Sequence, residues 1–175
     1  MNPDLQRRFD CLEATRLRAL AMLEPHTAAT LNEAPAPGRW SVLQVLHHVI
    51  AAETATLGYI RKKTLAGTSL PPAGLTSRLR ALTLEVVLAS PLRLRAPAVT
   101  ASVPAVLDPA GLRAQWDEAR ASWRGLLDGF PAALERRLVF RHPLVGLLGL
   151  ADTLGFLQAH LDHHLRHVER ALSRR

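Results

Sequence analysis

From Leu150 to the C-terminus, apolar residues recur at helical spacing with no proline to interrupt them: Leu150, Leu154, Leu157, Leu161, Leu165, Val168 and Leu172. At about 100° of rotation per residue they share one stripe about 80° wide. A helix with a single apolar stripe must bury it against other elements, so the chain has to fold as an assembly of packed layers. Residues 5–33 have the same periodicity and end before Pro35 and Pro37, which forbid continuation. A second helix opens at Ser41, with Gln44 as its capping-box partner, and stops at Gly67. Asp108 followed by Pro109 opens another, which ends at Gly129. Between them, residues 77–90 read as helix or loop, and the proline-rich stretch 91–111 reads as a long extended loop. With four main helices and no convincing strand alternation, the expected fold is an all-α helical bundle.

The length of 175 residues suits one domain spanning 1–175. No uncharged apolar run reaches the roughly 20 residues of a membrane span, and the first 20 residues mix acids and bases throughout, so a cytoplasmic address is expected. Cys11 is the only cysteine, which excludes an internal disulfide and any CxxC metal or redox motif. A metal would therefore need nitrogen and oxygen ligands. The net charge of +7 comes almost wholly from arginine, with Lys62 and Lys63 the only lysines. These charges are scattered along the chain, as on a solvated surface, and do not form one nucleic-acid-binding arm.

The stretch HLDHHLRHVER, residues 160–170, concentrates four histidines on the last helix. Projection places His160 and His164 beside the apolar stripe, with His163 and His167 turned further toward solvent. Residues four apart are stacked neighbours, so His160 and His164 can aim at one point, as in helical HxxxH metal sites. The plain alternative is a basic helix end whose His, Arg166, Arg170 and Arg174 complement the C-terminal dipole. A third ligand would have to come from a facing helix. The second helix offers His47 and His48 on opposite borders of its apolar stripe, and periodicity does not choose between them. Glu53 projects into the middle of that stripe, where a carboxylate needs an Arg or His partner inside the bundle or a polar pocket.

The segment RWSVLQVLHHV resembles the start of the second helix in the DinB/YfiT-like family, where a metal-binding histidine follows the Trp of a Trp-Ser pair by eight residues; from Trp40 that count reaches His48. RHPLVGLLGLADTLGFLQAHLDHHLRHVER resembles the family's closing segment, with His142, Pro143, Leu144 and Gly146 as its turn and His160 with His164 as its HxxxH ligands. The likeness covers residues 36–66 and 130–172 and is poor over 67–107. It implies a four-helix bundle of up-down-down-up topology with a divalent metal held by His48, His160 and His164. Glu53, His142 and His167 become candidates for supporting or pocket roles; His167 stands where many relatives carry Gln.

Three neutral imidazoles with open positions suit Zn or Ni first, then Fe or Mn, acting as Lewis acid or activating a bound water or thiol. Similar proteins include thiol-S-transferases and hydrolases. The expectation is therefore a metal-dependent transferase or hydrolase for a small-molecule substrate, with a low-molecular-weight thiol as a further cofactor and a homodimer as a plausible assembly. Arg93 and Arg95 could bind an anionic thiol. The rival is a non-catalytic bundle that binds nucleic acid or a protein through its basic surface. It lacks a contiguous basic patch interleaved with aromatics.

Overall fold

The computed structural model describes residues 1–65, 69–90 and 103–173. Helix α1 spans Pro3–Leu23, α2 Ala28–Asn32, α3 Val42–Leu65, α4 Leu75–Ala89, α5 Pro109–Asp128 and α6 Leu150–Leu172; a hairpin of β1 (Leu138–His142) and β2 (Gly146–Gly149) precedes α6. Helices α1, α3, α5 and α6 form a four-helix bundle, in which α6 packs on α1, α3 and α4, and α5 packs on α3 and α1. Among the described residues no helix is long and apolar enough to cross a membrane.

Local signals account for most helix starts. The Ser41 hydroxyl accepts from the Gln44 amide N–H at 3.2 Å, and the Gln44 side chain accepts from the Ser41 N–H at 2.9 Å, which completes the expected capping box of α3. At α5 the Asp108 carboxylate accepts from the N–H groups of Ala110 and Gly111 at 3.3 and 2.8 Å, with Pro109 in the first turn. The stretch 77–90, open in sequence, lies in helix α4 up to Ala89. The stop expected at Gly67 and the arginines Arg93 and Arg95 lie outside the described residues.

Two expectations change. The first helix is not continuous to residue 33: α1 ends at Leu23, Pro25 follows, and a separate short α2 starts behind the Thr27 cap, whose hydroxyl accepts from the Thr30 N–H at 3.2 Å. The chain also contains strands. Phe140 pairs with Leu148, Arg141 with Leu147 and His142 with Gly146, and the turn is closed by Gly146 at φ +84°. In β1 all residues but Arg141 are buried. Packed against α3, α4 and α6, the strands bury consecutive residues, Leu138 to Phe140 in β1 and Leu148 with Gly149 in β2, so the alternation that reveals a half-exposed strand is missing.

Candidate metal centre

Helix α3 brings His48 to the face of α6 that carries His160 and His164. Each of the three offers a ring nitrogen, and these nitrogens all lie within 4.8 Å of one another. Within α6 the Nε2 atoms of His160 and His164 are 3.2 Å apart, and the His48 ring centre is 5.3 and 4.8 Å from the rings of His160 and His164. His48 is 3% exposed, whereas His47, one residue away, does not reach the cavity beside the cluster. The rotation of α3 thus makes the selection that periodicity left open.

The protonation chemistry favours lone pairs over charge. Burial, then the neighbouring imidazoles His48 and His163, push His160 down to about 3. Burial pushes His164 still further down, with His160 and His48 adding to the effect. Three imidazole nitrogens and no sulfur form a donor set suited to a borderline divalent ion. Two imidazoles on one such ion at about 2.1 Å lie at most about 4.2 Å apart, so a small rotation of one ring closes the set. Aromatic rings back it: Trp40 lies 5.2 Å from His48, and Phe156 lies 5.6 Å from His160.

The cluster forms part of the wall of a cavity of about 830 Å³, within the range of small-molecule sites. His142 and His167 line the same cavity, and Glu53 does not. Burial holds His142 down at about 4, and its Nδ1 accepts the Leu144 N–H at 3.2 Å across the hairpin turn. His163 and His167 also line the cavity, a correction to the projection that turned them to solvent. The end of α4 covers that side: His163 Nδ1 lies 2.8 Å from the Leu88 carbonyl oxygen, to which it donates. Its Nε2 is then an acceptor, 3.3 Å from His167 Nε2, while Arg170 donates to His167 Nδ1 at 3.1 Å. This second HxxxH pair is satisfied internally.

Glu53, 1% exposed, takes the ion-pair option. Its carboxylate accepts from Arg120 Nη2 at 2.9 Å and from the Trp116 indole N–H at 3.2 Å. Burial raises its pKa, opposed by the Arg120 guanidinium and the Trp116 N–H. A further pair, Arg16 with Asp117, ties α1 to α5 nearby. Sequence reasoning missed Arg16 and Arg120 as buried cations, and it missed Phe156, Phe140 and Tyr59 as cavity wall. Phe156 had a legible signal, since it stands four residues before His160 on the same helical row.

Residues 12–168 match the sequence profile of the DinB superfamily. YfiT from Bacillus subtilis, described as a probable metal-dependent hydrolase with an unusual four-helix bundle topology, superposes with a TM-score of 0.65 at 20% identity, covering 99% of this chain and 89% of that one. TT2238, described as a four-helix bundle protein, superposes with a TM-score of 0.58 at 23% identity, covering 95% of this chain and 98% of that one. At these identities the likeness is one of fold. No curated protein matches the chain.

Proposed function

The chain belongs to the DinB superfamily, and from that membership and its converging imidazoles we propose that it is a divalent-metal-dependent enzyme acting on a small molecule, by hydrolysis or by transfer to a thiol. The observation that carries this reading is the set of three histidine nitrogens within 4.8 Å of one another at a cavity large enough for a small organic molecule. His48, His160 and His164 would hold the ion, with Zn or Ni fitting the all-nitrogen set best. A bound ion would supply Lewis acidity, polarising a carbonyl or phosphoryl oxygen and lowering the pKa of a water or thiol. YfiT, of the same fold, is described as a probable metal-dependent hydrolase, which supports the hydrolytic form.

The chain's own residues prepare that chemistry. Burial keeps His160 and His164 neutral at physiological pH, so each ring retains a lone pair that a metal could take. Trp40 and Phe156 flank the imidazoles and limit their rotation, which reduces the reorganisation on ligand binding. His142, held at about 4 by burial, is a neutral imidazole that lines the same cavity. Because Nδ1 accepts from Leu144, the proton of the neutral ring sits on Nε2, which can orient a substrate oxygen or water by donating to it.

The deciding experiment is metal analysis by mass spectrometry of purified wild type, His48→Ala and His164→Ala. Stoichiometric metal in wild type, absent from both folded variants, supports the reading. Negligible metal in wild type, or metal retained in both variants, returns the chain to the non-catalytic bundle. A panel of esters, amides and electrophile–thiol pairs then separates hydrolysis from thiol transfer.

A further inference from the structure

The cavity is strongly one-sided in charge. Arg39, Arg141 and six histidines line it, and no Asp or Glu is among its described lining residues. The undescribed stretches 66–68, 91–102 and 174–175 contain no acidic residue, so none of them can supply one. Elsewhere acids and arginines pair: Asp4 with Arg7 and Arg8, Glu13 with Arg16, Asp10 with Arg124. Neither Arg39 nor Arg141 forms an ion pair with any described residue, and both are exposed, which places them at the rim. Arg39 also acts electrostatically on His167 and so lies on the α6 side, whereas Arg141 comes from β1. Below this rim the wall is apolar and aromatic, with Trp40, Val45, Leu84, Phe140 and Phe156 exposed to the cavity.

We propose that the cavity binds a small amphipathic anion. Its carboxylate or phosphate group lies against Arg39 and Arg141, and its apolar body lies along Trp40, Phe140 and Phe156 toward the three imidazoles. The assignment names the substrate class of the site proposed above, and it rests on that cavity being the substrate site. An electropositive, carboxylate-free pocket favours anions by concentrating them and by pairing guanidinium with oxyanion in charge-assisted hydrogen bonds. A cationic ligand of the same shape meets two guanidiniums and no carboxylate among the described lining residues, and a neutral one forgoes the charge pairing. An acyl or phosphoryl compound with an aliphatic or aromatic tail meets both requirements, because its tail fills the apolar wall while the headgroup fixes its direction.

Isothermal titration with octanoate, octyl phosphate, octanol and octylammonium tests this, on metal-loaded and chelated protein. Both anions should bind at least about tenfold more tightly than octanol and octylammonium, a factor that corresponds to roughly one charge-assisted hydrogen bond. The Arg39→Gln/Arg141→Gln double variant should lose that margin while its octanol affinity and melting temperature stay unchanged. The proposal is overturned if octanol binds as tightly as octanoate, or if the margin survives in the double variant. A margin that vanishes on chelation also overturns it, since the metal would then hold the anion, and the metalloenzyme reading would stand. A margin that persists in protein that takes up no metal supports the anion site and removes the metalloenzyme reading.

Discussion

Helix α3 buries two ionisable side chains only five residues apart, His48 and Glu53, and they belong to opposite kinds of cluster. Glu53 faces α5, where Arg120 and Trp116 meet its carboxylate, and charge is balanced within the chain. His48 faces α6, where the neighbours are further imidazoles and a cavity without a described carboxylate. The first cluster satisfies most of its own needs, although Arg120 Nε and Nη1 have no hydrogen-bond partner among the described residues. The second gathers lone pairs and positive rim charge, which a metal ion and an anionic ligand would complement. Buried polarity holds helices together where donors and acceptors cancel, and marks a functional site where they do not.

Breaking the balanced cluster should have the largest effect on stability. Glu53→Ala leaves the Arg120 guanidinium, 4% exposed, with only the longer contact to Glu13 at 3.8 Å, and should lower stability by about 3 kcal/mol in urea unfolding. Its metal content should match wild type wherever the variant remains folded; metal lost from a folded Glu53→Ala protein would merge the two clusters. Replacing both partners, Glu53→Leu with Arg120→Met, should restore most of that stability, because an apolar pair of similar volume avoids desolvating two charges.

Removing one imidazole from the open cluster should do the reverse. His164→Ala should weaken metal binding by more than about a hundredfold, beyond the loss seen when only an outer-shell partner is removed. Its effect on the chelated protein's unfolding midpoint should be smaller than that of Glu53→Ala. A competitive chelator titration measures the first and urea unfolding the second. Equal stability losses in both variants would erase the distinction.

The two clusters were also unequally legible in sequence. The HxxxH pair needs only the rotation of one helix, so the spacing of His160 and His164 revealed it. Choosing His48 over His47 depends on how α3 is rolled against α6, which periodicity leaves ambiguous and which the Trp40-Ser41 motif resolved by resemblance. Glu53 stood out as a carboxylate on an apolar face, yet its partner Arg120 lies 67 residues away and looks like any helical arginine. The hairpin was hidden for a related reason. Strands β1 and β2 lie against α3, α4 and α6, and a short strand buried at consecutive positions has no clear period of its own.

Acid should act on the open cluster before it reaches the bulk of the carboxylates. His142 and His160 are held at about 4 and about 3 against an ordinary value near 6.5, in both cases chiefly by burial. Below about 6.5 the unfolded chain takes up protons that these folded histidines refuse, so stability falls with pH from there toward about 4. Chelated protein should therefore show its full urea midpoint above about pH 6.5 and a steady decline below it. His142→Leu should flatten that decline. A profile level from neutral pH to about 5, or an unchanged slope in His142→Leu, would mean that these rings are protonated in the fold and that the cluster is not a neutral donor set.

The smallest change is expected at His167. Its Nε2 serves the internal His163 pair and its Nδ1 accepts from Arg170, so neither nitrogen is committed to the three-histidine centre. The side-chain amide of Gln can present a donor N–H to His163 and an acceptor oxygen to Arg170, preserving both contacts. His167→Gln should therefore leave metal stoichiometry unchanged and shift affinity by less than about threefold, within the range typical of a conservative exchange at a satisfied hydrogen bond. His167→Leu removes both contacts and should weaken metal binding by about tenfold at most, acting through the orientation of His163 and its neighbour His164. A chelator titration that finds His167→Gln as damaging as His164→Ala would make His167 a fourth ligand and draw the second HxxxH pair into the metal site.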